Sequence, residues 1–133
     1  MNGNRYRGLP MKSKLESTFA LALKSVGCEM AQQVKFHPVR RWRLDFATDD
    51  GTKVAVEIDG GEFLTGKKTS AHNRGVRRAQ DYEKRNSAIE MGYVVFQLTG
   101  AMCKKDPLGW ARRVKAVIER RRDGQAEETN QCR

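Results

Sequence analysis

Apolar and polar positions along the chain follow two rhythms, and the switches between them mark the elements. Leu15, Phe19, Leu21, Leu23 and Val26 supply the apolar side of a helix. Ser13-Lys14-Leu15-Glu16 opens it as a capping box and Gly27 ends it. The period then shortens to two. Residues 33–38 form a short strand stopped by Pro38. Residues 41–47 form a second, with Trp42, Leu44 and Phe46 on one face and Arg43, Asp45 and Ala47 on the other. Asp49-Asp50-Gly51 signals a turn. Residues 53–59 form a third strand, with Val54, Val56 and Ile58 opposite Ala55, Glu57 and Asp59.

From Gly60 to about Arg74 the chain reads as a loop rich in Gly, Lys and Ser. A helix follows to Met91 and stops at Gly92, and Tyr93–Leu98 reads as a buried strand. Asp106-Pro107 caps a last helix, with Pro at its first position and Trp110, Ala111, Val114, Val117 and Ile118 as its stripe. The order α-β-β-β-α-β-α predicts an α/β fold, a mixed central sheet flanked by helices.

At 133 residues the chain makes one domain. Its expected extent is 1–122, with 1–11 a flexible lead-in and 123–133 a disordered polar tail. Glu119–Asp123 reads as a solvated helix end. No apolar run is long enough to span a bilayer, and no secretory signal is visible. Cys28, Cys103 and Cys132 have unrelated spacings, which fits free thiols in a reducing, cytoplasmic compartment. The formal charge of +10 favours a polyanionic partner, nucleic acid before an acidic membrane surface. No P-loop, zinc-finger spacing or recognition helix is present. The oligomeric state stays open, a homodimer included.

Two acids interrupt the strand alternation, Asp45 and Glu57. A carboxylate on a half-buried strand needs compensation, by an ion pair or by a cation. Parity decides whether the two acids meet. A three-residue loop, Asp50-Gly51-Thr52, sets Asp45 across from Glu57, whereas a two-residue loop separates them. The odd loop is expected, because the even one turns a carboxylate into the core. With the Ile58 carbonyl and water, the pair makes an oxygen-rich cage suited to Mg²⁺ or Mn²⁺. Surface ion pairs with Arg43 and Lys53 are the alternative.

The succession of Glu16, Asp45 and Glu57 on helix, strand and strand resembles the PD-(D/E)XK nuclease superfamily, with its restriction-endonuclease-like core. Arg43-Leu44-Asp45-Phe46, Val56-Glu57-Ile58-Asp59-Gly60, His72, Asp81 with a basic helix, and Gly92 before an apolar strand resemble its very-short-patch-repair-like branch, found in small phage and prophage nucleases. The resemblance covers about residues 12–100 and rests on the order of the motifs, each of which is weak alone. It implies a Mg²⁺-dependent endodeoxyribonuclease, or a catalytically degenerate nucleic-acid-binding module on the same fold.

The sequence departs from the family pattern at Asp59, where the third-motif lysine would stand. His72, in the loop, could orient or deprotonate water, and Lys84, on the following helix, could be the lysine moved. Lys84 could equally be an exposed charge near Asp81. Arg77, Asp81, Lys84 and Ala88 share one helical face. Asp59 and Asp81 are further candidate acids, and Glu16 could reach the metal through water. Arg40, Arg41, Arg43, Lys67, Lys68, Arg74, Arg77 and Arg78 are the candidate phosphate contacts on DNA.

Overall fold

The computed structural model describes residues 14–59 and 71–131. Four strands form one sheet in the order β1-β2-β3-β4: β1 (Ala31–Lys35), β2 (Arg43–Ala47), β3 (Val54–Asp59) and β4 (Val94–Thr99). The first three are antiparallel, and β4 runs parallel to β3 because the helix α2 (Ala71–Glu90) lies between them in the chain. The remaining helices are α1 (Lys14–Ser25), α3 (Gly100–Lys105) and α4 (Pro107–Gln131). The result is a mixed α/β domain with a four-stranded mixed sheet flanked by helices, as expected. The short helix α3 is an addition; Thr99 caps it by accepting from the Met102 N–H.

Two apolar clusters lie on the two faces of the sheet. Phe19, Leu23, Phe46, Val54, Val56, Leu98, Val114 and Ile118 join α1 and α4 to one face. Phe36, Leu44, Ala47, Ala55 and Ala88 join α2 to the other, with Trp42, Tyr93 and Val95 packed beside them. Phe46 and Leu44 therefore belong to opposite clusters, although strict alternation puts them on one face. The alternation breaks at the residue between them, Asp45. Across from it on β1 stands Gln33, whose φ of +53° is left-handed. A left-handed residue reverses the side-chain sense of its own strand, so β1 changes face at the level where β2 does.

Other boundaries shift as well. Strand β1 begins and ends earlier than expected. Helix α2 starts at Ala71, so His72 and Arg74 stand in its first turn and not in a loop. On α1 the buried side is Phe19, Ala22 and Leu23, while Leu21 is 67 % exposed because it falls off the 3.6-residue stripe. Strand β4 is half-buried because it is an edge, and its Gln97 is exposed. Tyr82 is half exposed, with the Arg85 guanidinium 5.4 Å from its ring centre.

The expected tail is helix: α4 continues to Gln131. Glu119–Asp123 is mostly exposed, as expected, but it lies inside α4 and is not its end, and two of its arginines are engaged. Arg121 donates to the carbonyls of Thr52 (2.9 Å), Lys53 (3.4 Å) and Gly92 (2.9 Å). Arg122 meets Asp50 through Nε (3.0 Å) and NH2 (2.7 Å), and Gln125 donates to the Gly51 carbonyl. The last helix thus clasps the β2–β3 turn, where Gly51 takes a φ of +88° that suits only a residue without Cβ. Hydropathy reads this run as solvent-facing because the partners are backbone carbonyls from distant segments. No described helix is long and apolar enough to cross a membrane. Cys28 and Cys103 are buried free thiols.

Candidate functional site

The β2–β3 register pairs Phe46 with Val56 and Ala47 with Ala55. Continued by one step, it sets Asp45 across from Glu57, the arrangement the odd loop requires. Here the ladder gives way to side chains. The Asp45 N–H donates to Glu57 Oε2 (3.0 Å), and the Ile58 N–H donates to Asp45 Oδ2 (2.8 Å). Each acid thereby satisfies a backbone donor of the other strand. The two strands are held together by the carboxylates at the level where their regular pairing stops.

Both acids are deeply placed, with Asp45 2 % and Glu57 9 % exposed. Lys84, from α2, forms an ion pair with Glu57 Oε1, its side chain only 15 % exposed. This separates the two readings of Lys84. It is turned inward to Glu57 and is not an exposed charge beside Asp81, which lies exposed on the preceding turn. Lys53, one of the cations available for a plain surface pair, donates instead to the Met91 carbonyl (2.7 Å). Burial pushes the Glu57 carboxyl well above the usual carboxylate range. The neighbouring Asp45 pushes the same way, and Lys84 and the Asp45 N–H offset the two only in part.

The donor set is the test of whether a divalent cation fits. Two carboxylates clustered on adjacent strands suit Mg²⁺ or Mn²⁺, which is held through one or two carboxylates with water and substrate phosphate completing its shell. Among the described residues no group of three or more His, Cys, Asp or Glu side chains is assembled to hold a metal. The protein ligands would then be Asp45 and Glu57, with the Ile58 carbonyl as the candidate third.

The other candidates divide. Glu16, 3 % exposed on α1, accepts from the Gln33 side-chain amide (3.0 Å). Its proposed capping partner, Ser13, lies outside the described residues. Asp59 ends β3 exposed, in register with Thr99 and away from the buried pair. His72 is on α2, but its side chain lies outside the described set, as do those of Arg74 and Arg77; Lys67 and Lys68 lie outside it altogether. Gln33 is the residue that sequence reasoning missed. Its one signal is an amide inside a strand-like run, which does not say which way it points.

Arg40 and Arg41 are exposed on the connection between β1 and β2, Arg43 is half-buried and Arg78 is exposed on α2. The connection is held by His37, whose Nδ1 accepts from the Val39 N–H (3.1 Å) and the Arg40 N–H (2.9 Å). Arg40 lies over the Trp42 ring (5.0 Å to its centre) and 3.7 Å from Glu83, the neighbour of Lys84 on α2. Part of the positive charge is therefore close in sequence and in space to the helix that supplies Lys84. No protein-family model matches the chain, and no curated protein or solved structure is significantly similar to it.

Proposed function

We propose that the chain is a metal-dependent endodeoxyribonuclease of restriction-endonuclease-like type, hydrolysing DNA phosphodiester bonds by attack of water. The observation that carries the reading is the buried grouping of Asp45, Glu57 and Lys84. Two carboxylates on adjacent strands meet a lysine from the following helix, in a protein of net charge +10. Asp45 and Glu57 would hold Mg²⁺ or Mn²⁺. Bound there, the cation would polarise a phosphoryl oxygen and lower the pKa of water. Lys84 takes the part left vacant by Asp59: a cation beside the metal ligands that can orient water and offset charge developing on phosphate. Arg40, Arg41, Arg43 and Arg78 supply phosphate contacts that fix register without reading bases.

The test is cleavage of plasmid and short duplex, nicked, mismatched and branched DNA with Mg²⁺, Mn²⁺, Ca²⁺ or EDTA. Cleavage that needs Mg²⁺ or Mn²⁺ and disappears in Asp45→Asn is the expected result. DNA binding without cleavage under every condition would replace it by the second reading, a catalytically degenerate DNA-binding module. The absence of a third-motif lysine at Asp59 is the observation that keeps that reading in view.

A further inference from the structure

We infer that His37 is a positioning residue for DNA binding, holding the β1–β2 connection in shape for phosphate only while its Nδ1 carries no proton; the inference rests on the function proposed above. The connection stands at the end of the sheet that carries the acids. Its last ladder pair is Lys35↔Arg43, Asp45 is the third residue of β2, and β3, antiparallel to β2, ends just beyond Glu57. Val39, Arg40 and Arg41 are exposed on it. One imidazole fixes its shape. Nδ1 of His37 accepts from two successive N–H groups, those of Val39 (3.1 Å) and Arg40 (2.9 Å). The ring is half-buried and stands edge-on to Trp42 (5.2 Å between ring centres) and to Phe36 (6.2 Å). The Arg40 guanidinium lies over the same Trp42, so one indole seats both the histidine and the arginine. Glu83 of α2 also meets Arg40, but both side chains of that pair are more than half exposed. Such a pair contributes little and is readily exchanged for phosphate. A ring nitrogen that accepts two N–H bonds carries no proton, so the hydrogen of the neutral ring sits on Nε2. Protonation puts a third N–H where the two amides converge, and the turn loses its acceptor. The charged and titratable groups around the ring are Arg40 and Arg41 on the turn, Glu83 on α2, Lys35 and Arg43 at the last ladder pair, and, beyond Phe36, Tyr93 with Lys53 over its ring.

Acid has two opposite effects on such a turn. It adds a positive charge, which favours DNA, and it removes the acceptor that shapes the turn, which weakens binding. The experiment is anisotropy with a labelled duplex in EDTA for the wild type, His37→Ala and His37→Asn. It compares about pH 8 with about pH 5.5, which brackets the usual range of an imidazole. Salt of about 0.15 M largely screens charges more than about 8 Å apart. Glu57 and the chain's other histidine, His72, are shared by all three proteins, so differences between them report on His37. Alanine removes the acceptor, and at the higher pH His37→Ala should bind about 3–10-fold more weakly than the wild type, the worth of an intramolecular hydrogen bond or two. Asparagine supplies an acceptor that does not titrate, its side-chain oxygen taking the N–H two residues on. His37→Asn should match the wild type at the higher pH and bind about 3–10-fold more tightly than it at the lower. A histidine serving only as a cation gives the reverse, with the wild type gaining on the asparagine variant in acid. That result, or wild-type affinity in the alanine variant, would overturn the inference alone. Should the alanine variant prove unfolded by circular dichroism, nitrogen NMR of the wild-type ring carries the test. The Nε2–H tautomer is expected at the higher pH, and a proton on Nδ1 there would overturn the inference. A wild type that binds no duplex DNA at either pH would overturn the proposed function and this inference together.

Discussion

Asp45 holds a backbone donor and carries a charge, and substitution separates the two. Asparagine keeps an oxygen for the Ile58 N–H and removes the charge. Asp45→Asn should stay folded, lose Mn²⁺ binding in calorimetry and lose cleavage, while DNA affinity by anisotropy stays within a few-fold of wild type. Lys84→Ala should behave differently. It takes from the buried Glu57 its ion-pair partner, and breaking such a pair costs about 3–5 kcal/mol. Urea melts of the metal-free variant should show that loss. Mn²⁺ should restore part of it and should stabilise the variant more than the wild type. Single-turnover cleavage should fall by about 10²–10⁴-fold, the range of a positioned proton-handling group. The meeting of Asp45 and Glu57 was legible in the sequence because loop parity is a counting argument, with only two outcomes. The inward turn of Lys84 was one of two open readings. Helical spacing gives a face and does not say what the face meets. The conformation of Gln33 and its bond to Glu16 were not legible, since nothing local announces a left-handed glutamine.

Elements were readable where one face is apolar and misread where polar groups meet backbone. The stripe of α4 was plain, with Ala111, Val114 and Ile118 buried as the pattern requires. Its continuation was not, because Arg121 and Arg122 are as polar as any solvated pair. Arg121→Ala deprives three carbonyls of a charged donor, and hydrogen bonds of that kind contribute about 1.5–3 kcal/mol each. The variant should lose about 2 kcal/mol in denaturant melts, allowing for water at the exposed carbonyls. The neighbouring pair gives a pH signature. Burial pushes the Asp50 carboxyl up, but the Thr52 hydroxyl, the Arg122 guanidinium and the Thr52 N–H outweigh it and hold the group at about 2, against 3.8 ordinarily. A depressed acid stabilises the fold above its unfolded pKa and loses that contribution as pH falls through its folded one. Wild-type stability should therefore fall between about pH 4 and pH 2 more steeply than that of Asp50→Asn, followed by fluorescence in acid titrations.

For the whole molecule, the helix-and-strand order and the mixed sheet followed from periodicity, whereas the break in alternation at Asp45 depends on how β1, β2 and α1 meet in three dimensions. On the proposed function, the charge of +10 would govern the encounter with DNA. Each phosphate contact releases condensed counterion, so log affinity falls with log salt by about 0.9 per contact on duplex DNA. Arg40→Ala with Arg41→Ala should weaken binding alike on every sequence and flatten that slope by about one to two units. Anisotropy across several ionic strengths measures it; an unchanged slope would move the DNA-binding surface away from the β1–β2 connection. The clasp of α4 on the β2–β3 turn also bears on how the protein is made. Arg121 is added to the growing chain 69 residues after Thr52, whose carbonyl it holds, and 29 after Gly92. The strands that carry both acids can pair early, since the hairpin is local. The turn joining them stays untied until the last helix has left the ribosome. A nascent chain therefore carries its acids on a loosely held hairpin until α4 has been made.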